Sequence, residues 1–471
     1  MAKPVKLNLI VDKSCNRVIF AESDEHFVDI LLSFLTLPLG SIIRLTKQSM
    51  GSMNKLLESV ETLNSVCFNT EACRSMLLCP LNSVSNLISS LAMNYDNINN
   101  LFPFYYTCSS SSCSYPRVSF YANAHCSCGG QMNKKLVFVP ANAPSSIAYS
   151  SVFCNSAFKF SISDDVHVSQ SSVEFSIGQL SKLDIKQRNS LESVSVDVTA
   201  GNILELLKQL LVSNTPFTDV FLGVHNQKAD KVVQVIQQPL LAPSASTGKI
   251  SMKLYVNKEE DTVLIAEADN DFVDLMFGFL TYPMGAVISK LGGQSGIRCM
   301  DNLYNSIEAL KTAKCFRNNE LIGKLLNPKL PSYFKAKNQL INLDEETQIQ
   351  SYFICSFAHC QNSSKVGNNP FTCVHYFNVG TAKQQCSRQL NLTDPKCGSN
   401  VEHRGGYMKF SRYMITDDLF IRQPSSFIVI TDILREAAGK GIHARNVEIG
   451  EQEVCRICLN LYSCIDPCPD S

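Results

Sequence analysis

The sequence predicts an α+β protein built from one module written twice. Each copy reads as an N-terminal β-hairpin plus amphipathic helices, a cysteine-rich ribbon-like insert, and a C-terminal strand–helix segment. Three observations carry this. Residues 7–43 lie over 252–288 without a gap at a constant offset of 245, and Leu9, Val11, Lys13, Val18, Ala21, Glu22, Asp24, Phe27, Asp29, Phe34, Pro38, Gly40 and Ile43 recur unchanged. Within each stretch, a period of two gives way to a period near 3.6. Between the copies, Gln237, Gln238 and Pro239 open a run through Pro243 and Gly248 with linker composition.

The elements follow in order. Leu7, Leu9 and Val11, then Val18 and Phe20, alternate around a polar turn at 12–16, which is a hairpin signal. Asp24, with Asp269 as its twin, caps a helix. Phe27, Ile30, Leu31, Phe34 and Leu35 form its core-facing stripe, repeated as Phe272, Leu275, Met276, Phe279 and Leu280. The helix stops before Pro38, because proline disfavours helical geometry in the preceding residue. A second amphipathic helix follows near 54–63. Late in the copy comes a strand at 194–198. A helix at 202–211 then turns Ile203, Leu204, Leu207, Leu210 and Leu211 to one face. The expected boundaries are 1–225 for copy one with its insert near 104–140, 226–250 for the linker, and 251–471 for copy two with a divergent insert near 351–400.

Of the 471 residues 45% are hydrophobic, enough to bury real cores, and 42 bases balance 42 acids. No global field steers nucleic acid or anionic membrane to the chain. The first apolar stretch is broken by Asn8 and stopped by Asp12, too short for a signal peptide. The expected compartment is therefore intracellular, cytoplasmic or nuclear, where 20 cysteines serve as thiols or metal ligands. Residues 27–45 approach the length of a membrane span, but Asp29, Pro38 and Gly40 interrupt them. A buried helical hairpin is the expectation, with no membrane span.

The cysteine pattern is the strongest chemical signal. Cys108 and Cys113 are followed, after twelve residues, by Cys126 and Cys128. Two close pairs joined by a β-prone stretch resemble a zinc ribbon, in which turns present four soft ligands as a tetrahedron. The spacings of four and one depart from the usual two. Copy two keeps Cys355 and Cys360 and places Cys386 on Cys126, but Arg388 stands where Cys128 would be, so weaker metal binding is expected there. The Cys455–Cys458 pair falls on Leu204 and Leu207 in the repeat, which reads as buried thiols in place of leucines. Glu22, Asp24 and Asp29, with Glu267, Asp269 and Asp274, raise an alternative: a carboxylate cluster for acid–base or metal work. Acids at a helix start also suit the helix dipole. No phosphate loop, nucleophile elbow or His-Glu-x-x-His motif occurs.

The blocks Ile10-Val11-Asp12-Lys13, Phe27-Val28-Asp29, Leu35-Thr36-Leu37-Pro38-Leu39-Gly40, Tyr105-Tyr106-Thr107-Cys108 and Cys126-Ser127-Cys128-Gly129 resemble the plant family catalogued as domain of unknown function 674. The resemblance implies no reaction and supplies no catalytic residues. Tyr282, Met284 and Ala286 depart from the pattern in copy two. The resulting expectation is a non-enzymatic binding or adaptor protein with a structural zinc site and an unidentified protein partner. An enzyme using the repeated acids is the first alternative and a nucleic-acid-binding ribbon the second. Against the latter, residues 108–128 hold only Arg117, with Lys134 and Lys135 just beyond. Sequence leaves the oligomeric state open.

Overall fold

Alternating apolar residues build β1 (Val5–Asp12) and β2 (Arg17–Ser23), a hairpin whose register shifts between Ile10 and Val11. Asp24 accepts the His26 N–H and starts α1 (Glu25–Ser33). A 3-10 turn over Phe34–Thr36 ends it. Pro38 precedes α2 (Leu39–Thr46), followed by α3 (Ser52–Thr62), α4 (Glu71–Leu78) and the short α5 (Ser85–Ile88). The cysteine-rich stretch carries β3 (Tyr105–Thr107), β4 (Arg117–Val118), β5 (Ala124–His125), β6 (Gln131–Met132) and β7 (Lys134–Val139). Then come β8 (Phe160–Ser163), β9 (Val168–Gln170), α6 (Val173–Lys182), β10 (Leu191–Val198), α7 (Ala200–Val212) and α8 (Pro216–Leu222).

The second half opens with β11 (Ile250–Asn257) and β12 (Val263–Asp269), with the register shift between Tyr255 and Val256, the same place at offset 245. Next are α9 (Asn270–Gly278), capped by Asp269, a 3-10 turn over Phe279–Thr281, α10 (Met284–Lys290), α11 (Arg298–Thr312) and α12 (Asn319–Leu326). The strands β13 (Tyr352–Cys355), β14 (Lys365–Gly367), β15 (Thr372–Phe377), β16 (Gly380–Gln385) and β17 (Ser387–Leu392) follow. The chain closes with β18 (Arg412–Ile415), β19 (Ile421–Arg422), β20 (Ile442–Ile449) and a helix at Glu451–Ser463. The computed structural model describes residues 5–88, 91, 104–110, 113, 117–139, 151–183, 190–224, 248–336, 340–347, 351–355, 364–370, 372–377, 380–385, 387–398, 405–424, 431 and 441–463. Among them, no helix is long and apolar enough to cross a membrane.

Each half contributes a five-stranded antiparallel sheet, ordered β10-β1-β2-β8-β9 and β19-β18-β12-β11-β20. The halves do not fold around separate cores: Leu9, Phe27, Leu35 and Leu56 belong to the same apolar cluster as Phe272, Leu280 and Leu303. Backbone hydrogen bonds run in both directions between the halves. Leu39 N–H donates to Tyr282 O, and Met284 N–H donates to Leu37 O, both at 3.0 Å. Asn155 N–H donates to Cys315 O and Arg317 N–H to Phe153 O, while Lys409 N–H donates to Cys67 O and Asn69 N–H to Tyr407 O.

Two serines repeat this logic. Ser59 Oγ on α3 accepts the Ile421 N–H at 2.7 Å, and Ser306 Oγ on α11 accepts the Val168 N–H at 2.9 Å. Each ties a sheet edge of one half to a helix of the other. Alanine at either position leaves a buried N–H without an acceptor, so a loss of about 1–2 kcal/mol is expected in urea denaturation. A loss below about 0.3 kcal/mol for both variants would show that these bonds do not hold the halves together.

The two inserts also merge. Sequence read a ribbon in each copy, but β3, β7, β14, β13, β17 and β4 form one six-stranded sheet in that order. The pairs β7–β14 and β4–β17 are parallel and join strands of different halves. Tyr106 and Ser119 exchange both backbone hydrogen bonds at 2.8 Å, which closes the sheet on itself as a small barrel. Tyr105, Val118, Leu136, Tyr352, Val366, Leu390 and Leu392 fill its interior. The Tyr105 and Tyr352 rings, one from each half, meet there at 5.4 Å.

Candidate metal centre

Cys108 directly follows β3, and Cys113 donates its N–H to Ser110 O at 3.2 Å. Cys126 and Cys128 sit at the tip of the β5–β6 hairpin. There the Cys126 N–H donates to Gly130 O at 2.8 Å and the Gly129 N–H to Cys126 O at 2.9 Å. The two turns are tied together by Ser109 N–H to Gln131 O at 3.0 Å and by Asn133 N–H to Ser109 Oγ at 3.2 Å. The Tyr121 hydroxyl donates to Cys79 O at 2.7 Å and anchors this end of the barrel to α4.

These bonds bring all four sulfur atoms within 4.8 Å of one another. Cys108 and Cys128 are 3.5 Å apart, as are Cys113 and Cys126. A disulfide needs about 2.05 Å, so these are separate thiols. A tetrahedron of metal–sulfur bonds of about 2.3 Å has edges of about 3.8 Å, which the cluster approaches. A Cβ on Gly130 would lie 3.2 Å from Cys108 Sγ and 3.4 Å from Cys128 Sγ, so a side chain there would crowd the sulfurs. Cys108 and Cys126 are buried, Cys113 half-buried and Cys128 exposed. Burial pushes the Cys108 and Cys126 thiols up, while the Gly130 N–H pulls Cys128 down to about 7. A cation between the sulfurs supplies what burial removes: it stabilises the thiolate form of the inner pair.

These four cysteines are the one group among the described residues that could hold a metal ion. Cys355 ends β13 and is buried, and Arg388 sits on β17 opposite Ile354. Cys360 and Cys386, the other expected ligands of copy two, lie outside the described residues. Cys455 and Cys458 are buried on the last helix, as expected for thiols in leucine positions.

The repeated acids serve separate ends. Asp24 and Asp269 cap helices. Glu22 accepts from Asn8, and Glu267 from Tyr255. Asp29 and Asp274 do not face the helix dipole as expected. Asp29 is fully buried and accepts the N–H groups of Val152, Phe153 and Cys154. Asp274 accepts those of Tyr407 and Met408. A side chain three or four residues into an apolar stripe gives no sequence sign that it will bind a backbone segment more than 120 residues away.

A single family model matches residues 2–454, across both halves and the cysteine cluster. The chain belongs to the family described as protein of unknown function (DUF674). No curated protein and no solved structure matches it. The DUF674 match brings no assigned chemistry, so the functional reading rests on the residues themselves.

Proposed function

We propose that this chain is a non-enzymatic binding or adaptor protein, a tandem duplication whose barrel is locked by structural zinc on Cys108, Cys113, Cys126 and Cys128. The convergence of four sulfurs from two hydrogen-bonded turns carries this reading. Four thiolates are soft ligands and leave no open position, the arrangement of a structural rather than a catalytic zinc. Duplication accounts for the shared hairpin register and for the reciprocal contacts between halves. Copy two, lacking a fourth thiol at Arg388, binds zinc more weakly through Cys355, Cys360 and Cys386, or not at all. A reducing intracellular compartment suits a set of unoxidised thiols. The turns near Cys108 and Cys126 have little apolar material of their own, so metal supplies part of their local stability.

Elemental analysis of the purified full chain tests this. About one zinc per chain is expected. Cys108→Ser and Cys126→Ser should lower that content well below one and expose residues 104–139 to protease. A chain that carries no zinc, or variants with unchanged metal content and protease resistance, would remove the reading.

A further inference from the structure

We propose that the outer face of the barrel, across β4, β3, β7 and β14, binds single-stranded nucleic acid. Charge is the first observation. Residues 104–139 contain Arg117, Lys134 and Lys135 and no acid, and residues 351–398 add Lys365, Lys383, Arg388 and Lys396 against Asp394 alone. Seven bases against one acid stand out in a chain with 42 of each. Lys396 is buried and donates to Lys335 O and Gly405 O, so it does not count toward the surface. Zinc on four thiolates carries a net charge of about −2, which leaves the barrel positive.

Register is the second observation. Lys135 lies opposite Tyr106 and Lys365 opposite Val137, both out of phase with the inward-facing Leu136 and Val366, while Lys134, exposed at the start of β7 opposite Thr107, is in phase with Leu136. Arg117 stands on β4, two residues before the Ser119 that pairs with Tyr106. Thus bases scattered over both inserts meet on adjoining strands. Sequence argued against nucleic acid because few bases lie near the cysteines, but the closed sheet gathers the others.

The third observation is apolar. Phe104 is 39% and Val137 61% exposed, and Lys135 Nζ lies 3.9 Å from the Phe104 ring centroid. An exposed ring among cations is the pattern that stacks an unpaired base while lysines hold the phosphates. A duplex hides its base faces from such a ring, which favours a single strand.

The test is fluorescence anisotropy of the full, zinc-loaded chain with labelled mixed-sequence oligonucleotides of about 20 residues. RNA, single-stranded DNA and duplex DNA form separate arms. Three phosphate contacts should give a salt slope of about −2 in the logarithmic plot. Lys134→Glu with Lys135→Glu should weaken binding about tenfold or more, and Phe104→Ala about fivefold or more. Lys311→Glu, a charge change on α11, should leave it unchanged. Denaturation midpoints equal to wild type show that the variants fold. The proposal is overturned by no binding at about 50 mM salt, or by a Lys134→Glu/Lys135→Glu variant that binds normally. Duplex bound as tightly as single strand, or equal capture by phosphatidylserine vesicles, would also overturn it. The inference deepens the binding-module reading but not its metal claim. A zinc-free chain that still binds strands sinks only the metal, and a zinc-loaded chain that ignores them sinks only this surface.

Discussion

Asp29→Ala is expected to cost about 3–5 kcal/mol of folding stability, because it strands three buried backbone donors at once. Asp29 Oδ1 accepts from Phe153 N–H at 3.1 Å and Cys154 N–H at 2.8 Å, and Oδ2 accepts from Val152 N–H. Those same residues carry the bridge to residues 315–317 of the other half. Losing the carboxylate therefore loosens both a local loop and the union of the halves. Asparagine should also hurt here, since its NH₂ group would face the Val152 N–H. Asp274 differs: both of its donors, Tyr407 N–H at 2.8 Å and Met408 N–H at 2.9 Å, reach the same Oδ1. An amide oxygen can serve both, so Asp274→Asn should fold well while removing a buried charge.

The sign of the pH dependence follows. Burial pushes the Asp274 carboxyl from 3.8 up to about 7, against the pull of its two N–H donors. The folded state then binds this proton more tightly than the unfolded one, so stability from this group falls as pH rises from about 4 to about 7. Between pH 5 and pH 8 the wild type should lose more than about 1 kcal/mol relative to Asp274→Asn. Urea titrations at both pH values measure it. Parallel profiles, or an Asp29→Ala loss below about 1 kcal/mol, would show that these carboxylates do not carry the load assigned to them.

Local order was legible because local rules govern it. The hairpins, the Asp24 and Asp269 caps, and the stripe from Phe27 to Leu35 follow from residue periods and capping chemistry alone. The sulfur cluster was legible for a related reason, since four thiols within a short stretch can be brought together by turns. What escaped depends on pairing between distant segments. Strands of two or three residues such as β4 and β14 are too short to show a period, so the shared barrel left no trace beyond its tyrosines and cysteines. Nor does a serine on an amphipathic helix, such as Ser59, announce that its hydroxyl serves a strand edge in the other half.

The recurrent Pro-x-Gly block is the clearest case of a motif whose reason lies between the halves, and it yields the last expected result. At Gly285 an added Cβ would lie 2.6 Å from Leu325 O and 3.0 Å from Leu35 O, both backbone atoms. At Gly40 it would lie 2.9 Å from Leu280 O. Alanine gains roughly 1 kcal/mol of helix propensity over glycine. None of these three contacts can be relieved by rotating a side chain, so the backbone segments must part. Overpacking of this kind typically costs about 1–3 kcal/mol. With two backbone oxygens to displace, Gly285→Ala should be destabilised by about 2 kcal/mol or more net of the propensity gain, and Gly40→Ala by less. The rank order is the sharper test, since propensity alone predicts two equally stabilised variants. If Gly285→Ala unfolds at the same urea concentration as wild type or a higher one, the close approach of α10 to the Leu35 carbonyl of the other half and to the Leu325 carbonyl of its own is wrong. If it unfolds earlier and Gly40→Ala lies between, both glycines mark close contacts with the other half's backbone, to which Gly285 adds the Leu325 carbonyl of its own half.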